Sequence, residues 1–134
     1  MARNVIAVIM GLVVAFLVVL GVQSINYMLY PIPSGIDPNN TEQMLEYIDQ
    51  LPATAFVIVL LAHFFGSLFG AWCASMVASS HQFRISIGLA LFLLVMGLLN
   101  IVQVPQPLWF IITDLFTYIP GAIIGYRLFK RFNN

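Results

Sequence analysis

The residues able to do acid–base or ligand chemistry are few. The 134-residue chain holds five Asp+Glu, five Lys+Arg, two His and one Cys, Cys73. Asp114 is the one acid inside a long apolar run, and His63 the one histidine so placed. An acid at the centre of a membrane span costs about 2.5–3.5 kcal/mol and is expected to face its neighbours and find a partner. Asp114 shares a helical face with Thr117, Tyr118 and Gly121, and Pro120 frees the Phe116 carbonyl close to that face. Gln23 and Asn26, and Asn100 and Gln103, stand near the ends of two other apolar runs. Asp114, His63, Gln23, Asn100 and Thr117 therefore form a candidate protonatable or ion-binding site. The alternative is a set of interhelical hydrogen bonds that locks helices together, each worth under about 1 kcal/mol.

Other chemistries lack their residues. Haem between spans usually takes two axial ligands, and His81 lies outside the apolar runs. Lys130 is outside them too, so no buried amine is placed for a Schiff base. Patterns for a zinc protease, a GxSxG nucleophile elbow and a phosphate-binding loop are absent. A lone cysteine excludes an internal disulfide, a CxxC pair and a thiolate zinc site within one chain. Ser67 and Ser75 lie in one apolar run, with no histidine placed to activate Ser75. The expectation is a chain that is not an enzyme and needs no cofactor and no metal.

The elements that must position these residues follow from composition. Apolar residues make up 61% of the chain and charged residues 7%, with zero formal net charge, and the mean hydropathy is +0.99. A soluble domain is about 25% charged, so a soluble enzyme, a nucleic-acid binder and a disordered tail are all excluded. Four stretches reach the roughly 20 apolar residues that cross a bilayer, at residues 5–29, 53–78, 85–103 and 108–129. The first has the outline of a secretory signal, but its run is longer than a signal core, and an uncleaved span is expected. The predicted fold is an all-α, four-helix transmembrane bundle over residues 1–134, with no separate soluble domain.

Charge sets the expected orientation. Arg3, Arg84, Arg127, Lys130 and Arg131 fall in the three regions that four spans place on one side, which makes both termini cytoplasmic. Asp37, Glu42, Glu46 and Asp49 share the outer loop. There, Pro31 and Pro33 forbid helix, and two helix starts are available, Asp37-Pro38 and Asn40 with Gln43. Met44, Leu45, Ile48 and Leu51 then recur at helical spacing, predicting a short amphipathic helix at the membrane surface. It serves either as a simple connection or as a lid over a site between the spans.

The segment Tyr30-Pro31-Ile32-Pro33-Ser34-Gly35-Ile36-Asp37-Pro38, the Leu51-Pro52 step and Pro107-Leu108-Trp109-Phe110 carry a resemblance. With them the chain resembles a family of small uncharacterised bacterial four-span integral membrane proteins. The resemblance covers nearly the whole chain and implies an inner (plasma) membrane location, but no activity. The family often has an acid where this chain has Gln23 and a histidine where it has Tyr27, so an ionisable role does not carry over to those two positions.

In lipid, helices associate through small residues that let backbones approach. Span two carries Ala62, Gly66, Gly70, Ala74 and Ala78 at four-residue spacing, span four Thr113, Thr117, Gly121 and Gly125, and span one Ala7, Gly11 and Ala15. Span four is the expected partner of the span-two ladder. A seam between copies of the chain is the other use for such a ladder. Expected surroundings are the lipid bilayer, with further copies of the chain or another membrane protein as partners, and no nucleic acid. Two functions fit: an accessory or interaction protein without enzymatic activity, or a small proton- or ion-coupled transporter or channel component that acts as an oligomer with Asp114 as coupling group.

Overall fold

The computed structural model describes residues 1–133, and Asn134 lies outside them. Among the described residues six helices follow in order: α1 (Ala2–Leu29), α2 (Thr41–Gln50), α3 (Ala53–Val77), α4 (Gln82–Gln103), α5 (Leu108–Leu115) and α6 (Tyr118–Asn133). Among the described residues there is no strand. The stretches α1, α3, α4 and α5–α6 are each long and apolar enough to cross a membrane, as expected for a multi-pass membrane protein. Helix limits follow the punctuation of the sequence: α1 stops before Pro31, α3 starts after Pro52, and α4 stops before Pro105.

Consecutive long helices run antiparallel. Arg3 Nε donates to the Val77 carbonyl at 2.8 Å, meeting an end-of-helix acceptor with a cation. Asn4 Oδ1 accepts from the Ser79 amide and hydroxyl, so the start of α1 is tied to the end of α3. His81, at φ 56°, makes the tight left-handed turn into α4, and the Phe83 ring meets Tyr126 of α6 at 5.2 Å. The five bases thus gather at one end of the bundle, here the basic end. Loop 30–52, with its four acids, lies at the other, the acidic end.

The hub is α3, which packs against α1, α4 and α6. Its small-residue ladder does not meet span four, as the sequence suggested; it meets α1. A Cβ added at Gly70 would lie 2.8 Å from the Gly11 carbonyl oxygen and 2.9 Å from Ala15 Cβ. One added at Gly66 would lie 3.1 Å from the Ala15 carbonyl oxygen, and one at Gly11 2.8 Å from Ala74 Cβ. Ala7, Ala15, Ala62 and Ala74 have no exposed surface. Helix α6 uses another face of α3: a Cβ at Gly121 would be 2.7 Å from the Phe64 carbonyl oxygen, and one at Gly125 would meet that of Leu68. Two separate faces of one helix are therefore occupied by two partners within the chain.

The fourth stretch is not one continuous helix but breaks between Leu115 and Tyr118. Thr113 and Gly121 no longer share a face, and Thr113 is exposed with its hydroxyl on the Trp109 carbonyl. Phe116 N donates to Thr113 O at 3.1 Å and Thr117 N to Asp114 O at 3.0 Å, tightening the last turn of α5. Pro120 becomes the third residue of α6, where an amide would have no intrahelical acceptor, so its missing N–H costs little.

Of the two helix starts offered in the loop, Asn40 is the one used. Its Oδ1 accepts from the amides of Glu42 and Gln43, and Gln43 Oε1 accepts from Asp37 N at 2.7 Å. Asp37 instead accepts from the Asn39 amide to form a turn. Leu45 points outward, and Tyr47 takes its place on the inner face beside Met44, Ile48 and Leu51.

The packing yields a direct expectation. Gly70→Leu must push apart two backbones and should lower stability in detergent by about 1–3 kcal/mol or more, whereas Gly21→Leu, with open space around it, should leave the thermal midpoint almost unchanged. Equal midpoints for the two variants would mean that α1 and α3 do not meet along this seam.

Candidate functional site

A cavity of about 420 Å³ occupies the acidic-end half of the bundle, between α1, α3, α4 and the α5–α6 break. The inner face of α2 covers it through Met44, Tyr47 and Ile48, joined by Leu51 just past the helix end. Ile48 packs with Phe56 and Phe110 in a small apolar cluster, and Tyr47 Oη donates to the Tyr30 carbonyl at 2.8 Å. Burial raises the Tyr47 phenol above its ordinary value, with the Tyr27 phenol adding to the shift, so this O–H remains a donor.

The floor of the cavity is polar. His63 lies ten residues into α3, about 15 Å along its axis from Ala53, and its Nδ1 is 2.6 Å from Asp114 Oδ1. Tyr118 Oη donates to Asp114 Oδ2 at 3.2 Å and lies 3.0 Å from His63 Nδ1. Asp114 is 1% exposed and the His63 side chain 12%. The arrangement that satisfies each proton has His63 Nδ1–H donating to one carboxylate oxygen and Tyr118 donating to the other. Nε2 then keeps its lone pair and has no protein partner among the described residues, on a side chain that lines the cavity.

The fold positions this triad through the break in span four. Asp114 sits in the last turn of α5 and Tyr118 opens α6. On α3, His63 and Ser67 are one turn apart and hold two parts of Tyr118. The imidazole stacks on its ring at 5.4 Å between centroids, and Ser67 Oγ donates to its carbonyl at 2.6 Å. Gly97 of α4 leaves room for the phenol: a Cβ there would lie 2.5 Å from Tyr118 Oη. Thr117 is adjacent, but its hydroxyl donates to the Asp114 backbone carbonyl at 2.7 Å, so it orients the end of α5 and does not touch the carboxylate.

Asp114 and His63, both members of the expected set, are in direct contact. Gln23 and Asn100 line the cavity walls without a hydrogen bond to either. Beyond the expected set, the polar residues Tyr118, Asn26 and Gln106 also line the cavity. Tyr118 was legible as a neighbour, four residues from Asp114 on the same face. Asn26 and Gln106 contribute side-chain oxygens that are buried and make no hydrogen bond. Nothing in the spacing marks Gln106, which falls in the Pro105–Pro107 segment between helices. The ladder residues Ala62, Gly66, Gly70, Ala74, Gly121 and Gly125 lie outside the cavity lining and serve packing.

No family model, curated protein or solved structure matches this chain.

The geometry separates two kinds of loss. His63→Leu strands the buried Asp114 carboxylate and should cost about 3–5 kcal/mol, whereas Tyr118→Phe removes one hydrogen bond and should cost about 1 kcal/mol. Unfolding in detergent measures both. Similar small losses would mean that Asp114 is not buried as a charge beside His63.

Proposed function

We propose that this chain is a non-enzymatic, multi-pass protein of the inner (plasma) membrane, with cytoplasmic termini, that binds a small ligand in an outward-opening pocket. The observation that carries the reading is the His63–Asp114–Tyr118 set at the floor of the cavity. A buried acid with one basic partner would suffice to lock helices, but here the basic partner also lines the cavity and offers an unpaired nitrogen to it. A volume of about 420 Å³ falls in the range of pockets that enclose small organic ligands. No Ser, Cys, Lys, Asp or Glu lines it among the described residues, which favours binding over covalent chemistry. The charge distribution supports the orientation: bases at one end, acids at the end where the cavity lies. The α2 helix then lies on the outer surface as a cover over the pocket.

A second reading, proton- or ion-coupled transport by an oligomer, is favoured by one observation: span four breaks beside Asp114, and broken helices at mid-membrane line the binding sites of transporters.

Two measurements test these readings. In a Cys73→Ala background, Val59→Cys on the cavity wall should react with an impermeant maleimide added outside intact cells, while Leu61→Cys on the lipid-facing side should not. Failure to label Val59→Cys from outside would remove the outward pocket. For transport, wild-type protein in liposomes should show no flux driven by a pH gradient. A flux that Asp114→Asn abolishes without loss of folding would establish transport with Asp114 as coupling group.

A further inference from the structure

The chemistry of the lining narrows the ligand class, on the premise that the cavity is a binding pocket. We infer that it takes a protonated organic amine carried on an apolar body. Four independent features converge on a cation that donates hydrogen bonds.

First, the lining presents acceptors that have no donor: His63 Nε2 at the floor, and the buried Asn26 Oδ1 and Gln106 Oε1. A buried acceptor without a donor costs about 1–3 kcal/mol, and a ligand N–H supplies that donor. Second, the charge beneath the floor is negative. Asp114 lies behind His63 and Tyr118, and no Lys or Arg lines the cavity. An ammonium donating to Nε2 brings a positive charge to a carboxylate one ring away, whereas a carboxylate ligand would meet repulsion and no donor of matching charge. Third, Tyr27, Tyr30, Tyr47, Phe56 and Phe110 supply aromatic surface that suits both an apolar body and a cation. Fourth, the exposed Asp37, Glu42, Glu46 and Asp49 stand at the same end of the bundle, with no base in the loop, and concentrate cations there.

An inorganic cation fits poorly. Among the described residues no group of three His, Cys, Asp or Glu side chains converges, and aromatic walls cannot replace the water that such an ion would shed.

The test uses the full chain in detergent with three probes of one shape: 2-phenylethylamine, 2-phenylethanol and phenylacetate. Calorimetric titration should show the amine binding at least tenfold more tightly than the alcohol, with phenylacetate weaker still. Asp114→Asn should abolish the advantage of the amine over the alcohol. Should that variant not fold, Gln106→Leu removes one acceptor without touching the His63–Asp114 contact, and should weaken the amine about threefold or more. Alcohol or carboxylate binding as tight as the amine, or an amine unaffected by both substitutions, overturns the cation assignment and leaves a pocket of other specificity. Binding of none of the three probes overturns both the assignment and the binding function on which it rests.

Discussion

The contact between His63 and Asp114 is the constraint around which the bundle is arranged. An ionised carboxylate removed from water carries a penalty of several kcal/mol, and only a close, well-oriented partner offsets it. That requirement sets the depth of α5 against α3, because the partner stands ten residues inside α3. It also explains why span four is built in two pieces. A continuous helix would carry Asp114 and Tyr118 in one rigid ladder. The break at residues 116–117 lets α5 deliver the carboxylate while α6 delivers the phenol that occupies its second oxygen. Ser67 and Gly97 are the supports of this arrangement, one holding the Tyr118 backbone and the other leaving room for its ring.

Packing of the rest divides the molecule into unlike halves. From Gly66 toward the basic end, α1 and α3 approach through glycine and alanine closely enough that an added Cβ would meet backbone. Such contacts gain dispersion energy from many atoms at once, the main source of helix association where lipid removes any hydrophobic drive between helices. Arg3 on the Val77 carbonyl and Asn4 on Ser79 close that end. Toward the acidic end, α1 instead presents Val19, Gln23 and Asn26 to the cavity. One seam of small residues that stops partway along the helices thus produces both a sealed half and an open half.

How much of this is legible in the sequence depends on the range of the interaction. The four long apolar stretches and the termini of α1, α3 and α4 are local: apolar length and proline positions decide them. Asp114 with His63 was legible because rare ionisable groups at one depth have few partners to choose from. The partner of the span-two ladder was not legible, since three of the four stretches carry small residues at four-residue spacing and spacing alone does not say which two meet. Span four lost that competition because its break turns Thr113 away from Gly121. Asn40 prevailed over Asp37 as the helix cap, with Gln43 reaching back to the Asp37 amide, a choice between two locally acceptable caps. Gln106 had no pattern at all. It sits between two prolines, and only the packing of α5 against α3 brings it to the cavity.

The same division of scale bears on α2. Its inner face is apolar, yet it packs on side chains at the bundle end and makes no extended helix–helix seam of its own. It is held by the Ile48–Phe56–Phe110 cluster and by the hydrogen bond from Tyr47 to Tyr30. Elements with few buried contacts open at low free energy, while the core about them stays folded. Pro31, Pro33 and Gly35 on one side and Pro52 on the other interrupt helix at both ends of the segment, so movement of α2 need not disturb α1 or α3. An amphipathic helix that covers the cavity's polar floor, attached weakly and flanked by helix breaks, has the mechanical properties that a cover requires. The tight Gly–Ala seam below it has the properties of a foundation.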